Sequence, residues 1–140
     1  MKKIIVSACL LGENCKYNGG NNYCPAVIKF IQGREVIPVC PETLAGLGTP
    51  RIPIEIRDGK VYDKNGVCVD AAIRAAVKSI LDSINPAEIE CAILKSRSPT
   101  CGVKQIHDGT FSGTLIDGMG SLAQALSDIG ITVTDSEDIH

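Results

Sequence analysis

Short apolar runs that stop abruptly at polar or turn-forming residues recur along this chain. Ile4-Ile5-Val6-Ser7-Ala8 runs into Cys9, and Val36-Ile37-Pro38-Val39 runs into Cys40-Pro41-Glu42. Ala92-Ile93-Leu94-Lys95 passes through a Ser-Pro turn into Cys101. Runs of this length and Ile/Val content predict strands, with Pro38 marking a strand end or a local bulge. Helical spacing is clearest in Ile73, Ala76, Val77, Ile80, Leu81 and Ile84, which predicts a helix over 70–83 closed by Asn85-Pro86. A shorter helix is predicted from Pro25, with Val27, Ile28 and Ile31 on one face and Gly33 past its end. Leu122, Ala125, Leu126 and Ile129 predict a last helix ending at Gly130, then a strand over 131–134. Residues 54–57 and 60–62 flank Asp58-Gly59, a hairpin signal, and a second hairpin is placed around Asp108-Gly109 with 103–107 as one arm. Leu10 to Tyr23 reads as a long polar loop, and the acidic tail from Asp135 is expected to fray.

The resulting order is β-α-β, hairpin, α-β, hairpin, α-β. Such alternation implies a compact, Rossmann-like α/β fold, with a mainly parallel sheet, helices on both faces and the hairpins as decorations near the loop edge. The 140 residues fit one domain, 1–140. No dinucleotide fingerprint is present; Gly12 and Gly118-Met119-Gly120 are isolated glycines.

Composition narrows the function. The formal charge is −2 with no strongly basic window, and there are only three tyrosines, two phenylalanines and no tryptophan. A nucleic-acid surface needs cations for phosphate contacts and aromatics for stacking, so a small-molecule partner is the expectation. No run approaches the ~20 apolar residues of a membrane span, and the apolar stretch after Lys2-Lys3 is too short for a signal peptide. A cytoplasmic location follows. Seven cysteines fall below the density of secreted disulfide scaffolds, and in a reducing compartment thiols serve as metal ligands, catalytic groups or small buried hydrophobes.

Cys9, Cys40 and Cys101, separated by 31 and 61 residues, are the main candidates. If their strands are parallel neighbours, the three carboxyl ends share the sheet edge where open α/β folds bind ligands. Convergent thiolates suit a soft metal or an iron–sulfur cluster; taken singly, each thiol is equally read as a small buried hydrophobe. Glu42, two residues past Cys40, is placed to act as general acid or base beside such a site. Ser98, three residues before Cys101, can face the same pocket, and Ser7, Lys95 and Ser96 lie at the same edge as candidate substrate contacts. Cys91 and Cys68 read as packing residues, while Cys15 and Cys24 flank the Asn-Gly loop, where they could join a second site but match no zinc pattern and are read as neutral. No C-x-x-C occurs. Arg51 and Glu55 are expected to form an ion pair, and His107 has no evident companion.

Three ordered motifs carry a family resemblance. They are Ser7-Ala8-Cys9-Leu10-Leu11-Gly12 with Lys16-Tyr17-Asn18-Gly19, Pro38-Val39-Cys40-Pro41-Glu42 continuing to Pro50-Arg51-Ile52-Pro53-Ile54-Glu55, and Leu94-Lys95-Ser96-Arg97-Ser98-Pro99-Thr100-Cys101-Gly102. Together they resemble the bacterial thiouracil desulfurase family almost end to end. The resemblance implies a 4Fe-4S cluster on Cys9, Cys40 and Cys101 with one iron free of protein ligands, and Glu42 and Ser98 in proton handling and substrate orientation. It implies desulfuration of a thiolated pyrimidine such as 2-thiouracil to the oxo form, with release of sulfide. Lys16, Asn18, Ala45 and Thr100 depart from the family's usual arginine, aspartate, glycine and serine; none removes a proposed ligand or Glu42. The competing readings are a non-catalytic metal- or sulfide-binding module on the same thiols and a thiol-redox protein.

Overall fold

The computed structural model describes residues 2–139. Four parallel strands, β1 (Lys3–Ser7), β2 (Glu35–Val39), β5 (Ile89–Leu94) and β8 (Val133–Asp135), form one sheet in the order β2-β1-β5-β8. Two antiparallel hairpins, β3 (Ile54–Arg57) with β4 (Lys60–Asp63) and β6 (Gln105–His107) with β7 (Leu115–Asp117), complete the strands. Helices α1 (Pro25–Ile31), α2 (Pro41–Leu44), α3 (Asp70–Asp82) and α4 (Ser121–Asp128) lie between them.

The two faces of the sheet bury different residues, as the twofold period of a strand requires. Ile4, Val6 and Ile93 pack with Val27 of α1. Ile5, Ala92 and Leu94 pack with Ile73, Val77 and Ile80 of α3 and with Leu122 and Leu126 of α4. Helices therefore cover both faces, as the alternating pattern predicts. From β1 the chain passes to β2 on one side of the sheet, and β5 and β8 lie on the other. The switch point thus falls between β1 and β5, where the carboxyl ends open a crevice.

Local differences from the sequence reading have physical causes. Pro38 causes no bulge: β2 is an edge strand, and Pro38 keeps regular register with Val6. The Asp58-Gly59 turn forms as predicted, with both residues at positive φ (52° and 79°). The second hairpin also forms, but without a two-residue turn at Asp108-Gly109: β6 and β7 are joined by residues 108–114. Gly109 (φ 92°) is required because a Cβ there would lie 2.7 Å from both Arg57 Cβ and Ile56 O, where the loop presses on the first hairpin. The Leu10–Tyr23 stretch begins inside a 3-10 turn (Ala8–Leu11), and Leu10 is buried.

The acidic tail does not fray. Asp135 pairs with Leu94 in β8 and is buried together with Ser136. The Asp135 carboxylate accepts the Glu137 N–H at 2.8 Å, capping a 3-10 turn over Ser136–Asp138. Glu137 pairs with Arg97 and Asp138 with Lys104. Short charged residues at a chain end resemble a solvated tail; these cations, 34 to 40 residues upstream, are what order it.

Candidate active site

Three adjacent strands deliver the three thiols. Ser7 ends β1 two residues before Cys9, Val39 ends β2 one residue before Cys40, and the chain leaving β5 at Leu94 reaches Cys101. All three cysteines line one cavity of about 430 Å³, within the usual range of small-molecule sites. Glu42, Ser98, Ser7, Lys95 and Ser96 line it too. The hairpins do more than decorate, since Ile54, Glu55 and His107 supply a wall of the same cavity.

Cys101 stands on a loop clamped from several sides. The first amides of α4 have no partners inside their own helix and bond instead to this loop: Ser121 N to Pro99 O (3.1 Å), and Leu122 N to Thr100 O (2.8 Å). Gly120 N bonds Gly102 O at 2.8 Å, and a Cβ on Gly120 would sit 2.4 Å from the Thr100 carbonyl carbon. The Gly118-Met119-Gly120 pair of glycines thus serves close packing. Ser98 Oγ accepts the N–H groups of Thr100 (3.2 Å) and Cys101 (3.0 Å). Thr100 Oγ1 donates to Glu42 Oε2 at 3.0 Å, across 58 residues. Glu42, in the first turn of α2, is buried.

Burial pushes the Cys101 thiol up to about 12, with the nearby Glu42 carboxylate adding to the rise and hydrogen bonds from Ser7 and Thr100 opposing it. Burial also raises Cys9; the Asn22 amide opposes this and Cys40 reinforces it. Burial lowers Lys95, helped by the charge of Arg97, and its ammonium donates to Ser96 Oγ at 3.0 Å and to Ser96 O at 3.2 Å. Without metal, the apolar surroundings keep these thiols protonated.

Three features of the pocket escaped the sequence. Cys15 lines it beside Cys40, its thiol pushed up to about 12 by burial and then by Cys40. Its carbonyl accepts from Arg51 Nη2 (2.9 Å) and from the Cys40 thiol (3.9 Å). Glu55 makes no ion pair with Arg51. Its Oε1 instead accepts Gly109 N (3.0 Å) and Phe111 N (3.1 Å), clasping the second hairpin to the first. His107 reaches the pocket, and its Nδ1 is buried without a hydrogen-bond partner among the described residues. Nothing in linear spacing marks these three, although the unexplained Cys15 and His107 were visible as residue types. Cys24 and Cys91 pack in the core on the α1 face, whereas Cys68 is exposed and is not a packing residue.

Among the described residues, no three His, Cys, Asp or Glu side chains come close enough together to grip a single ion. A cube of four irons takes one thiolate per iron, so its ligands stand apart around a wider object. Three soft donors on three separate strand ends, around a cavity of this size, fit that demand and leave a fourth corner without a cysteine assigned to it.

Comparison with known proteins agrees with this geometry. A family model described as 2-thiouracil desulfurase matches residues 4–138. The uncharacterized protein YbbK of Bacillus subtilis (strain 168) is 32% identical over 147 residues, covering 98% of this chain and 97% of its own. A solved structure described as the 4Fe-4S-dependent thiouracil desulfidase TudS matches with a TM-score of 0.91 and 33% identity, over 99% of this chain and 93% of that one. On a match spanning nearly its whole length, the chain belongs to the 2-thiouracil desulfurase family.

Proposed function

We propose that this chain, as a single domain over 1–140, is a 4Fe-4S-dependent desulfurase that hydrolyses a thiolated pyrimidine of the 2-thiouracil type. The reaction balances as thiouracil plus water giving uracil plus hydrogen sulfide, with no net oxidation. The observation that carries it is the meeting of Cys9, Cys40 and Cys101, from three adjacent strand ends, with Glu42 and Ser98 in one cavity. The family's description and the name of the similar solved structure support the same activity and cofactor.

Cys9, Cys40 and Cys101 would hold the cluster, which when bound supplies a soft Lewis acid for the thione sulfur. Glu42 is the general base: its carboxylate takes a proton from the water that attacks the thiocarbonyl carbon and returns it to the departing sulfur. Ser98 has both lone pairs occupied by backbone N–H groups, so its proton is what it offers, and it orients the pyrimidine by donating a hydrogen bond. Lys95 and Ser96 supply further donors, and Ser7 lines the pocket. The apolar wall of buried Ile54 and half-buried Pro53 excludes water from one side of the base.

A free base or nucleoside is the substrate class, since a formal charge of −2 offers a polynucleotide little counter-charge. The seven free thiols suit a reducing cytoplasm; no helix among the described residues is long and apolar enough to cross a membrane. The test is anaerobic reconstitution with iron and sulfide analysis, followed by chromatography of 2-thiouracil reactions. Uracil and sulfide in equal amounts are expected. A fully loaded protein that yields no product from any thiolated pyrimidine overturns the enzyme reading in favour of a metal- or sulfide-binding module.

A further inference from the structure

We infer that Thr100 is a positioning residue that joins Glu42 and Ser98 into one hydrogen-bonded unit, an inference resting on the roles proposed above for those two residues. Thr100 is fully buried and does not line the cavity. Its Oγ1 lies 3.0 Å from Glu42 Oε2, 3.2 Å from Ser98 Oγ and 3.7 Å from Cys101 Sγ.

Counting protons sets the direction of the network. Ser98 Oγ already accepts two backbone N–H groups, which uses both lone pairs of a hydroxyl. Toward Thr100 it can therefore only donate. Thr100 Oγ1 receives that proton and has one of its own to give. A carboxylate only accepts, so the Thr100 proton goes to Glu42 Oε2, with the Cys101 sulfur as a longer and weaker competitor. The chain runs Ser98 to Thr100 to Glu42.

This arrangement has a mechanistic consequence. Thr100 occupies one oxygen of Glu42, and no hydrogen bond to Oε1 occurs among the described residues, which leaves that oxygen for water. When a pyrimidine takes the Ser98 proton, Thr100 keeps its hold on Glu42. The base thus stays aimed while the substrate-facing donor turns, and only one bond is exchanged. The β-branched side chain restricts χ1, and the α4 amides clamp the Thr100 carbonyl, so the hydroxyl is pre-aimed on a rigid loop.

The experiment compares Thr100→Val, which keeps the shape and deletes the hydroxyl, with Thr100→Ser, which keeps it. Each variant is reconstituted anaerobically and assayed with 2-thiouracil, alone and in a Glu42→Gln background. Thr100→Val is expected to bind a full complement of iron with an unchanged visible spectrum. Its KM stays within about threefold while kcat falls roughly 10- to 100-fold, the worth of one lost charge-assisted hydrogen bond. Thr100→Ser retains kcat within about threefold. Because Thr100 acts through Glu42, Thr100→Val costs nothing further once Glu42 is Gln. Full activity in Thr100→Val, a loss that tracks iron content, an equal loss in Thr100→Ser, or an undiminished effect in the Gln background each overturns the inference.

A readout independent of turnover separates the two readings. In a crystal structure of metal-free Thr100→Val, the Glu42 carboxylate is expected to leave its position while the Cys9, Cys40 and Cys101 sulfurs stay. An unmoved carboxylate overturns the role of Thr100 even if the wild type is active. A loaded wild type without desulfurase activity overturns the proposed function, and the crystal comparison then decides Thr100 by itself.

Discussion

Ser7 and Lys95, 88 residues apart, are joined where the Ser7 hydroxyl accepts the Lys95 backbone N–H at 2.9 Å. The bond lies just past the last registered pair of β1 and β5, Val6 with Ile93, and extends the link between those strands to the edge of the pocket. Ser7 is buried and lines the pocket, so one hydroxyl ties two strand ends together beside the thiols. Ser7→Ala strands a half-buried N–H, and a loss of about 1–3 kcal/mol in unfolding free energy is expected from urea titration. A change below about 0.5 kcal/mol would show that water replaces the hydroxyl.

The thiols divide into two sets. Cys9→Ala, Cys40→Ala and Cys101→Ala, at the proposed ligands, are each expected to abolish cluster assembly, read as lost iron, sulfide and visible absorption after anaerobic reconstitution. Cys68→Ala, which changes an exposed thiol, and Cys91→Ala, which changes one packed on the α1 face, keep it. Cys15→Ala is also expected to keep it, since the proposed ligands are the three strand-end thiols. A Cys15→Ala protein without iron would move Cys15 into the ligand set.

Glu42→Gln preserves the shape of the side chain and removes its proton chemistry. The variant is expected to load fully and to lose about 10²–10⁴-fold in kcat, the usual worth of a general acid or base. Near wild-type turnover by a loaded variant would reassign Glu42 to structure.

Stability of the metal-free protein depends on pH through Cys101. Its folded pKa is raised to about 12, above the ordinary thiol range near 8.5. Above that range the unfolded chain releases the proton that the native state retains, so the native state binds more protons and stability falls as pH rises. The contribution is fully present below about pH 8.5 and is lost progressively toward pH 12. Melting temperatures of metal-free protein between pH 7 and 11 check this, and Cys101→Ala, which carries no ionisable group there, is expected to make the decline shallower, with the raised thiols of Cys15 and Cys9 carrying part of the remainder. An equal decline in that variant would assign it to other groups.

Glu55 clasps the two hairpins that line one cavity with the thiols. Glu55→Ala leaves the N–H groups of Gly109 and Phe111 without their shared acceptor, and a destabilisation of about 2–4 kcal/mol is expected. Because His107 precedes the clasped loop and lines the cavity, KM is expected to rise as well. Glu55→Gln keeps an acceptor oxygen and retains most of the stability. Urea melts and steady-state kinetics separate these outcomes; equal stability of Glu55→Ala and wild type would show that the hairpins hold together through apolar packing.

By itself the sequence determined the strands, the main helices and the edge of the sheet at which chemistry gathers. Those follow from local pattern: short Ile/Val-rich runs such as Ile4 to Val6 and Ala92 to Leu94, bounded by polar or turn-forming residues, read as buried strands, and a buried strand must end at a loop. Cys9, Cys40, Glu42, Ser98 and Cys101 were therefore legible as a set, and the family motifs named the chemistry they suit. Only tertiary structure decided what each side chain bonds. Glu55 could not be seen to leave Arg51 for Gly109 and Phe111, because its partners lie 54 and 56 residues away. Asp135 to Asp138 resembled a solvated tail until Arg97 and Lys104 were brought beside it. The Ser98–Thr100–Glu42 chain likewise depends on α2 and the α4 clamp arriving at one loop. Periodicity reports which way a residue faces; hydrogen bonds between remote segments depend on how the layers pack, and short-range pattern carries no record of that.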